Sequence, residues 1–174
     1  MSWPVVRSHL REPILESMML RLASESDINI LLSLEEQCFE SDKITREEFR
    51  KHLKNPRSRV VLEQESIEGG VTSDPRGYYI SIYLPMSKRC RLYRAAVAPI
   101  FRRRGILHSF LRDFERDSLE KDFLELFLEV AKDNEDAISV YQKNGFVEYG
   151  VFPKYYENGK DALRMKKLLT KSSV

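Results

Sequence analysis

The stretch Val97-Ala98-Pro99-Ile100-Phe101-Arg102-Arg103-Arg104-Gly105-Ile106-Leu107-His108-Ser109-Phe110-Leu111 decides the fold. An apolar strand runs into Pro99, three arginines and Gly105 follow, and an amphipathic helix begins. N–H groups at a helix start lack intrahelical partners and carry partial positive charge. A glycine lets the backbone approach a ligand closely. Exposed cations there oppose the helix dipole by roughly 0.3–1 kcal/mol each, and a bound polyphosphate reverses that penalty. The stretch therefore reads as a strand–turn–helix that holds an anion. The competing reading is a basic surface turn with a solvated charge run. A Walker loop is excluded because no Gly-Lys-Ser/Thr follows. A dinucleotide fingerprint is excluded because Gly105 stands alone where three glycines are expected.

The flanking segments extend this reading in both directions. Upstream, residues 58–65, 78–86 and 91–98 read as strands of an antiparallel meander. Lys88-Arg89 makes one turn, and a loop over 66–76 carries Glu68-Gly69-Gly70 and Asp74-Pro75-Arg76-Gly77. Downstream, Ile106, Leu107, Phe110, Leu111 and Phe114 form the apolar stripe of a helix that frays near Lys121. Residues 124–130 then alternate, with Leu124, Leu126, Leu128 and Val130 on one side and Glu125, Phe127 and Glu129 on the other. Strand, crossover helix and strand make a βαβ unit, so the two strands are expected to be parallel. Asp133 with Asp136 is expected to cap the next helix, which buries Ala137, Ile138 and Tyr141 and stops at Asn144-Gly145. Strands over 146–156 and 162–169, joined by a turn at Glu157-Asn158-Gly159-Lys160, end the domain.

The chain before the meander offers a short strand over 20–23 and two helices. Ser24 with Asp27 opens the first, and Thr45-Arg46-Glu47-Glu48 is a capping box for the second, which Asn55-Pro56 stops. Residues 1–18 read as a tail or surface arm and 19–170 as one mixed α/β domain. The 174 residues, 42% hydrophobic and 32% charged, suit one domain with a real core. A net charge of only +2 excludes a polycation. Cys38 and Cys90 lie far apart, and His9, His52 and His108 form no cluster. Reduced thiols, no metal and a cytoplasmic setting are expected. No apolar run has the length of a membrane span, and no signal-peptide core is present.

The order β-α-α-β-β-β-α-β-α-β-β, with two motif blocks, resembles the GNAT acetyltransferase superfamily over roughly residues 20–169. One block is Val97-Ala98-Pro99 followed by Arg102-Arg103-Arg104-Gly105-Ile106-Leu107, against the family's Arg/Gln-x-x-Gly-x-Gly/Ala. The other is Leu128-Glu129-Val130-Ala131-Lys132-Asp133-Asn134, then Ala137-Ile138, Tyr141 and Asn144-Gly145-Phe146. The second block and the Tyr155-Tyr156, Asp161-Ala162-Leu163 ending are similar to bacterial ribosomal-protein alanine N-acetyltransferases. The resemblance implies a central, largely antiparallel sheet with a parallel splayed pair, flanked by helices. It implies acetyl-CoA as co-substrate and an amine acceptor, such as a protein N-terminus. It places the pyrophosphate on Arg102, Arg103, Arg104, Gly105, Ile106, Leu107 and His108, and the pantetheine arm along Ala95, Ala96 and Val97 and on Asn134. Glu129 matches the general base and Tyr141, twelve residues later, the general acid. Leu107 departs from the family's small residue. It either crowds the phosphates or turns into the helix packing while the backbone still binds.

The chemistry fits these residue types. An amine is mostly protonated at neutral pH, so its attack on a thioester needs a base, the oxyanion needs an N–H donor, and the leaving thiolate needs an acid. Without the motif, Glu129 reads as a solvated carboxylate paired with a lysine, Tyr141 as a core aromatic, and Asn134 as a residue of a helix's first turn. Glu125 is a second candidate base, and Tyr155 and Tyr156 are candidate acceptor-groove aromatics. Four readings follow. They are transfer to an N-terminal amine, transfer to a lysine, polyamine or other small amine, a non-catalytic coenzyme A sensor, and nucleic-acid binding through Arg102–Arg104.

Overall fold

The computed structural model describes residues 17–66 and 74–170. Of the expected arm over residues 1–18, residues 1–16 lie outside the described residues, as does the turn at Glu68-Gly69-Gly70, while Ser17 and Met18 pair with Ser66 and Glu65 as the start of a strand. The described residues form one sheet of strands β1 Ser17–Leu22, β2 Ser58–Ser66, β3 Gly77–Leu84, β4 Arg89–Val97, β5 Glu125–Ala131, β6 Val147–Phe152 and β7 Ala162–Leu168. Their order is β1-β2-β3-β4-β5-β7-β6, and every neighbouring pair is antiparallel except β4–β5, which is parallel. Helices α1 Ile28–Cys38 and α2 Arg46–Lys54 precede the meander, α3 Ile106–Glu120 joins β4 to β5, and α4 Glu135–Lys143 follows β5. The expected mixed sheet with one parallel pair is the observed one.

Local chemistry sets the element ends. Thr45 and Glu48 exchange hydrogen bonds in a capping box, with Glu48 Oε2 accepting from Thr45 N at 2.7 Å. The Ser24–Asp27 box closes a short 3-10 turn rather than α1 itself, and Arg21 grips Asp27 at 2.7 and 2.9 Å. That grip holds the Asp27 carboxyl down at about 2. The cap of α4 differs from expectation. Asn134 Oδ1 accepts from Ala137 N at 3.2 Å, while Asp133 pairs with Lys160 at 2.7 Å. Asn134 stands one residue nearer the first turn, where its amide reaches the free N–H. β3 ends at Leu84, because Pro85 starts a 3-10 turn that Lys88 leaves with φ 53°. β6 ends at Phe152 rather than running to Tyr156.

Two cores flank the sheet. Ile106, Phe110 and Phe114 of α3 and Tyr141 of α4 pack on Leu92, Leu128 and Met165. Leu31 and Leu34 of α1 and Phe49 of α2 pack on Val60, Leu62, Tyr78 and Ile80. Leu126, Leu128 and Val130 face the first core as the alternation predicts. Leu124 does not: it precedes β5 and is 59% exposed. Phe127 is buried on the opposite face beneath the Arg89 guanidinium, 4.1 Å from the ring centroid.

A buried carboxylate ties the α1 side together. Glu35 is 1% exposed. It accepts from Arg94 Nε at 3.1 Å and Nη2 at 2.9 Å, from Ile44 N at 2.8 Å, and from the Tyr78 hydroxyl. Removing one partner of a buried pair leaves an uncompensated charge, which costs about 3–5 kcal/mol. Glu35→Ala is therefore expected to lose about 3–5 kcal/mol in urea unfolding. A loss under about 1 kcal/mol, the range of an exposed pair, would refute this role.

Candidate coenzyme and acceptor site

The β4–β5 ladder pairs Arg89, Cys90, Arg91 and Leu92 with Glu125, Leu126, Phe127 and Leu128, and stops. Beyond it β4 stays with β3 to Val97, and β5 stays with β7 to Ala131. The two strands part, leaving residues 93–97 and 129–131 on the two sides of an opening. A bulge shapes the first side. Ile80 pairs with Arg94 and Ser81 with Leu92, so Tyr93 is an extra residue. Arg91 and Arg94, opposite Ile82 and Ile80, consequently share a face.

The arginine stretch starts at the end of β4. Ala95 and Val97 are half-buried and Ala96 is buried. Arg102 Nε donates to Val97 O at 3.1 Å. Arg103 and Gly105 take positive φ of 62° and 81°, which turns the chain into α3. Only glycine adopts that conformation without cost. Among the described residues no acceptor takes the N–H groups of residues 105–108. Arg103 meets Asp136 at 3.3 Å on the exposed surface, and the Arg104 guanidinium lies 5.3 Å from the Phe101 ring centroid. Ile106 is buried, Leu107 packs against the α3 core, and His108 is exposed. The Leu107 side chain thus turns into the helix packing. Unpaired N–H groups, three guanidiniums and a parted strand form a donor set that fits a pyrophosphate with an extended arm. Asn134 spends Oδ1 on its cap, and its side-chain N–H groups have no partner among the described residues.

Across the opening, Glu129 lies on the α1 face of the sheet. Its Oε2 accepts from Arg91 Nε at 2.9 Å and lies 2.8 Å from Nη2 in the same ion pair, and Oε1 has no partner among the described residues. Arg91 Nη2 also donates to the Tyr155 hydroxyl at 2.8 Å. Burial pulls the Arg91 guanidinium down, but Glu129 and Tyr155 outweigh it and keep it raised. Tyr141 is buried with its ring edge-on to Phe146, and burial pushes its hydroxyl well above the usual range. Tyr156 is pushed up to about 12 by burial, then by Tyr155 and Glu129. Its field also acts on Tyr141. Tyr156 is therefore within electrostatic reach of both Glu129 and Tyr141. The loops over 39–45 and 153–161 meet where Glu157 N donates to Asp42 Oδ1 at 3.1 Å. Glu125 sits at the closed end of the ladder, bound to Arg89 at 2.6 Å.

Sequence reasoning missed Arg91 and Arg94. Their charges in an otherwise half-apolar strand were the available signal. The bulge hid their common face, because strict alternation puts residues three apart on opposite faces. Among the described residues no cluster of His, Cys, Asp and Glu could hold a metal ion, and no helix is long and apolar enough to cross a membrane.

Known structures share the architecture. The ribosomal-protein-S18-alanine N-acetyltransferase from Escherichia coli is 19% identical with a TM-score of 0.76, covering 90% of this chain and 97% of its own. Ard1 from Thermoplasma volcanium is 24% identical with a TM-score of 0.76, covering 88% of this chain and 99% of its own. The NatC complex bound to Gag peptide and CoA is 18% identical with a TM-score of 0.76, covering 88% and 99%. No curated protein matches in sequence. Residues 28–146, which span α1 through the end of α4 and include both motif blocks, match the model of the acetyltransferase (GNAT) family, and the chain belongs to that family.

Proposed function

We propose that this acetyltransferase moves the acetyl group of acetyl-CoA to a protein or peptide N-terminal α-amine, by direct attack in a ternary complex. The carrying observation is Glu129 at the parting of β4 and β5, with Oε2 fixed by Arg91 and Oε1 without a partner among the described residues. The coenzyme supplies an acetyl thioester open to attack. The guanidiniums of Arg102, Arg103 and Arg104 and the N–H groups over 105–108 bind its pyrophosphate, and residues 95–97 and Asn134 hold its arm. Glu129 Oε1 takes a proton from the acceptor ammonium, directly or through one water. The freed nitrogen forms the new amide bond as the carbon–sulfur bond breaks. A β4 N–H near Ala96 or Val97 donates to the carbonyl oxygen. Tyr141, kept protonated by burial, gives its proton to the departing thiolate.

Direct attack agrees with the thiols. Burial pushes Cys90 up to about 12 and raises Cys38 as well, so neither is a thiolate at neutral pH. Both are free, which suits the cytoplasmic setting we infer. We assign the acceptor end to the two loops joined by the Glu157–Asp42 bond, and favour an N-terminal amine over a small amine. The alanine N-acetyltransferase and peptide-bound structures among the similar folds support the same choice.

Calorimetric titration with acetyl-CoA is expected to show micromolar binding that Arg104→Ala weakens. No binding at millimolar ligand would overturn the reading. Glu129→Gln is expected to keep that binding and lower kcat by about 100- to 10,000-fold on an N-terminal peptide. A wild-type protein that binds coenzyme but acetylates no amine would be a sensor instead. Tyr141→Phe is expected to reduce kcat with little change in the acetyl-CoA KM, and an unchanged kcat would remove Tyr141 from the acid role.

A further inference from the structure

Arg164 of β7 stands directly opposite Glu129 of β5 in the antiparallel ladder. Directly opposed residues share a face and lie within easy reach of each other. An ion pair between them is the default, and it is not made. Glu129 turns to Arg91. The Arg164 guanidinium lies instead over Phe152, 4.1 Å from the ring centroid, and over Tyr149, 4.7 Å away. Among the described residues Arg164 has no ion pair, and its Nε is fully buried without a hydrogen-bond partner.

A guanidinium stacked on aromatic rings keeps its in-plane N–H groups available at its rim. With Nε buried, the two Nη nitrogens are the pair that matches a carboxylate in bidentate geometry. The surroundings connect this cation to the reacting centre. Phe152 stacks on Tyr155 with centroids 5.7 Å apart, and the Tyr155 hydroxyl accepts from Arg91, which holds Glu129. Arg164, Phe152, Tyr155 and Arg91 therefore form a continuous chain of contacts that returns to Glu129. Helices α1 and α2 pack over β2, β3 and β4, and leave this part of the sheet face to the loops. Arg91 is already neutralised by Glu129, so Arg164 carries the uncompensated charge of this contact chain.

We propose that Arg164 binds a carboxylate carried by the acceptor, so that the preferred substrates are amines with an acidic group a few bonds away. The proposal rests on the acetyl-transfer reading above. The same chemistry has two sources: the side chain of an acidic residue that follows the N-terminal residue of a peptide, and the α-carboxylate of a free amino acid.

The test compares matched acceptors on the wild-type enzyme. One pair is a peptide beginning Ala-Glu and its Ala-Gln counterpart, and the other is free alanine and alaninamide. kcat/KM is expected to be about tenfold higher for the acid member of at least one pair. A preference within the peptides assigns the side-chain source, and one within the amino acids assigns the α-carboxylate. Arg164→Gln is expected to bring the acid-to-amide ratio close to one with the acetyl-CoA KM unchanged, and Arg164→Lys to keep part of it. Equal wild-type rates within both pairs would overturn the proposal and leave acetyl transfer standing. A ratio that survives Arg164→Gln would also overturn it. Absence of turnover with every amine would overturn both readings together.

Discussion

Four residues of β4 pair with four of β5, and the ladder then ends. The rest of the site depends on that interruption. A parallel pair that continued would cover the polar edges of both strands with each other. Because β3 holds β4 and β7 holds β5, the two can separate without leaving the sheet. The parting exposes backbone donors and acceptors that a ligand strand can use. It also brings Glu129 from the interior of a sheet to the edge of an opening.

Separated strands need anchoring elsewhere, and buried polar contacts supply it on both faces. Glu35 gathers Arg94, Tyr78 and Ile44 on the α1 side. On the α3 side, Asp113 accepts from Arg59 at 2.7 Å and Tyr79 at 2.7 Å, and Asp117 accepts from Tyr83 at 2.6 Å. Burial alone would raise Asp113, but the Tyr79 and Arg59 donors outweigh it and lower its carboxyl. Such groups contribute less to net stability than apolar packing of equal volume, because desolvation opposes them. Their geometry is more restrictive than apolar contact, however. The Asp113 and Asp117 bonds hold α3 in one register over β2 and β3, which fixes where its N-terminal N–H groups point.

The fold was legible in the sequence because it depends on periodicity. The alternation of Leu126, Leu128 and Val130 and the stripe of Ile106, Phe110 and Phe114 have only one reading. Turn chemistry at Asn144-Gly145 marked the end of α4, and the Thr45 box marked the start of α2. The Glu129–Arg91–Tyr155 cluster was half legible. Glu129 and Tyr155 were visible as residue types on a motif, whereas Arg91 needed cross-strand register. The bulge at Tyr93 carries no glycine or proline to announce it, so the common face of Arg91 and Arg94 emerged only from pairing. Phe127 stands on the face that the alternation gives it, but its burial was not legible, because a cation from the neighbouring strand covers it. The Asn134 cap turned on a difference of one residue, which falls within the usual uncertainty of helix ends.

The bond between Glu157 N and Asp42 Oδ1 joins loops that are 115 positions apart in the chain. Each loop belongs to a different half of the domain, one following α1 and the other joining β6 to β7. Neither can change its length or course alone without leaving that amide or that carboxylate to find water. The two segments are therefore bound to vary as a matched pair. On the acceptor placement we propose, a new preference draws on two distant places in the sequence, 39–45 and 153–161, while the proposed coenzyme contacts at 95–97, 102–108 and Asn134 lie outside both.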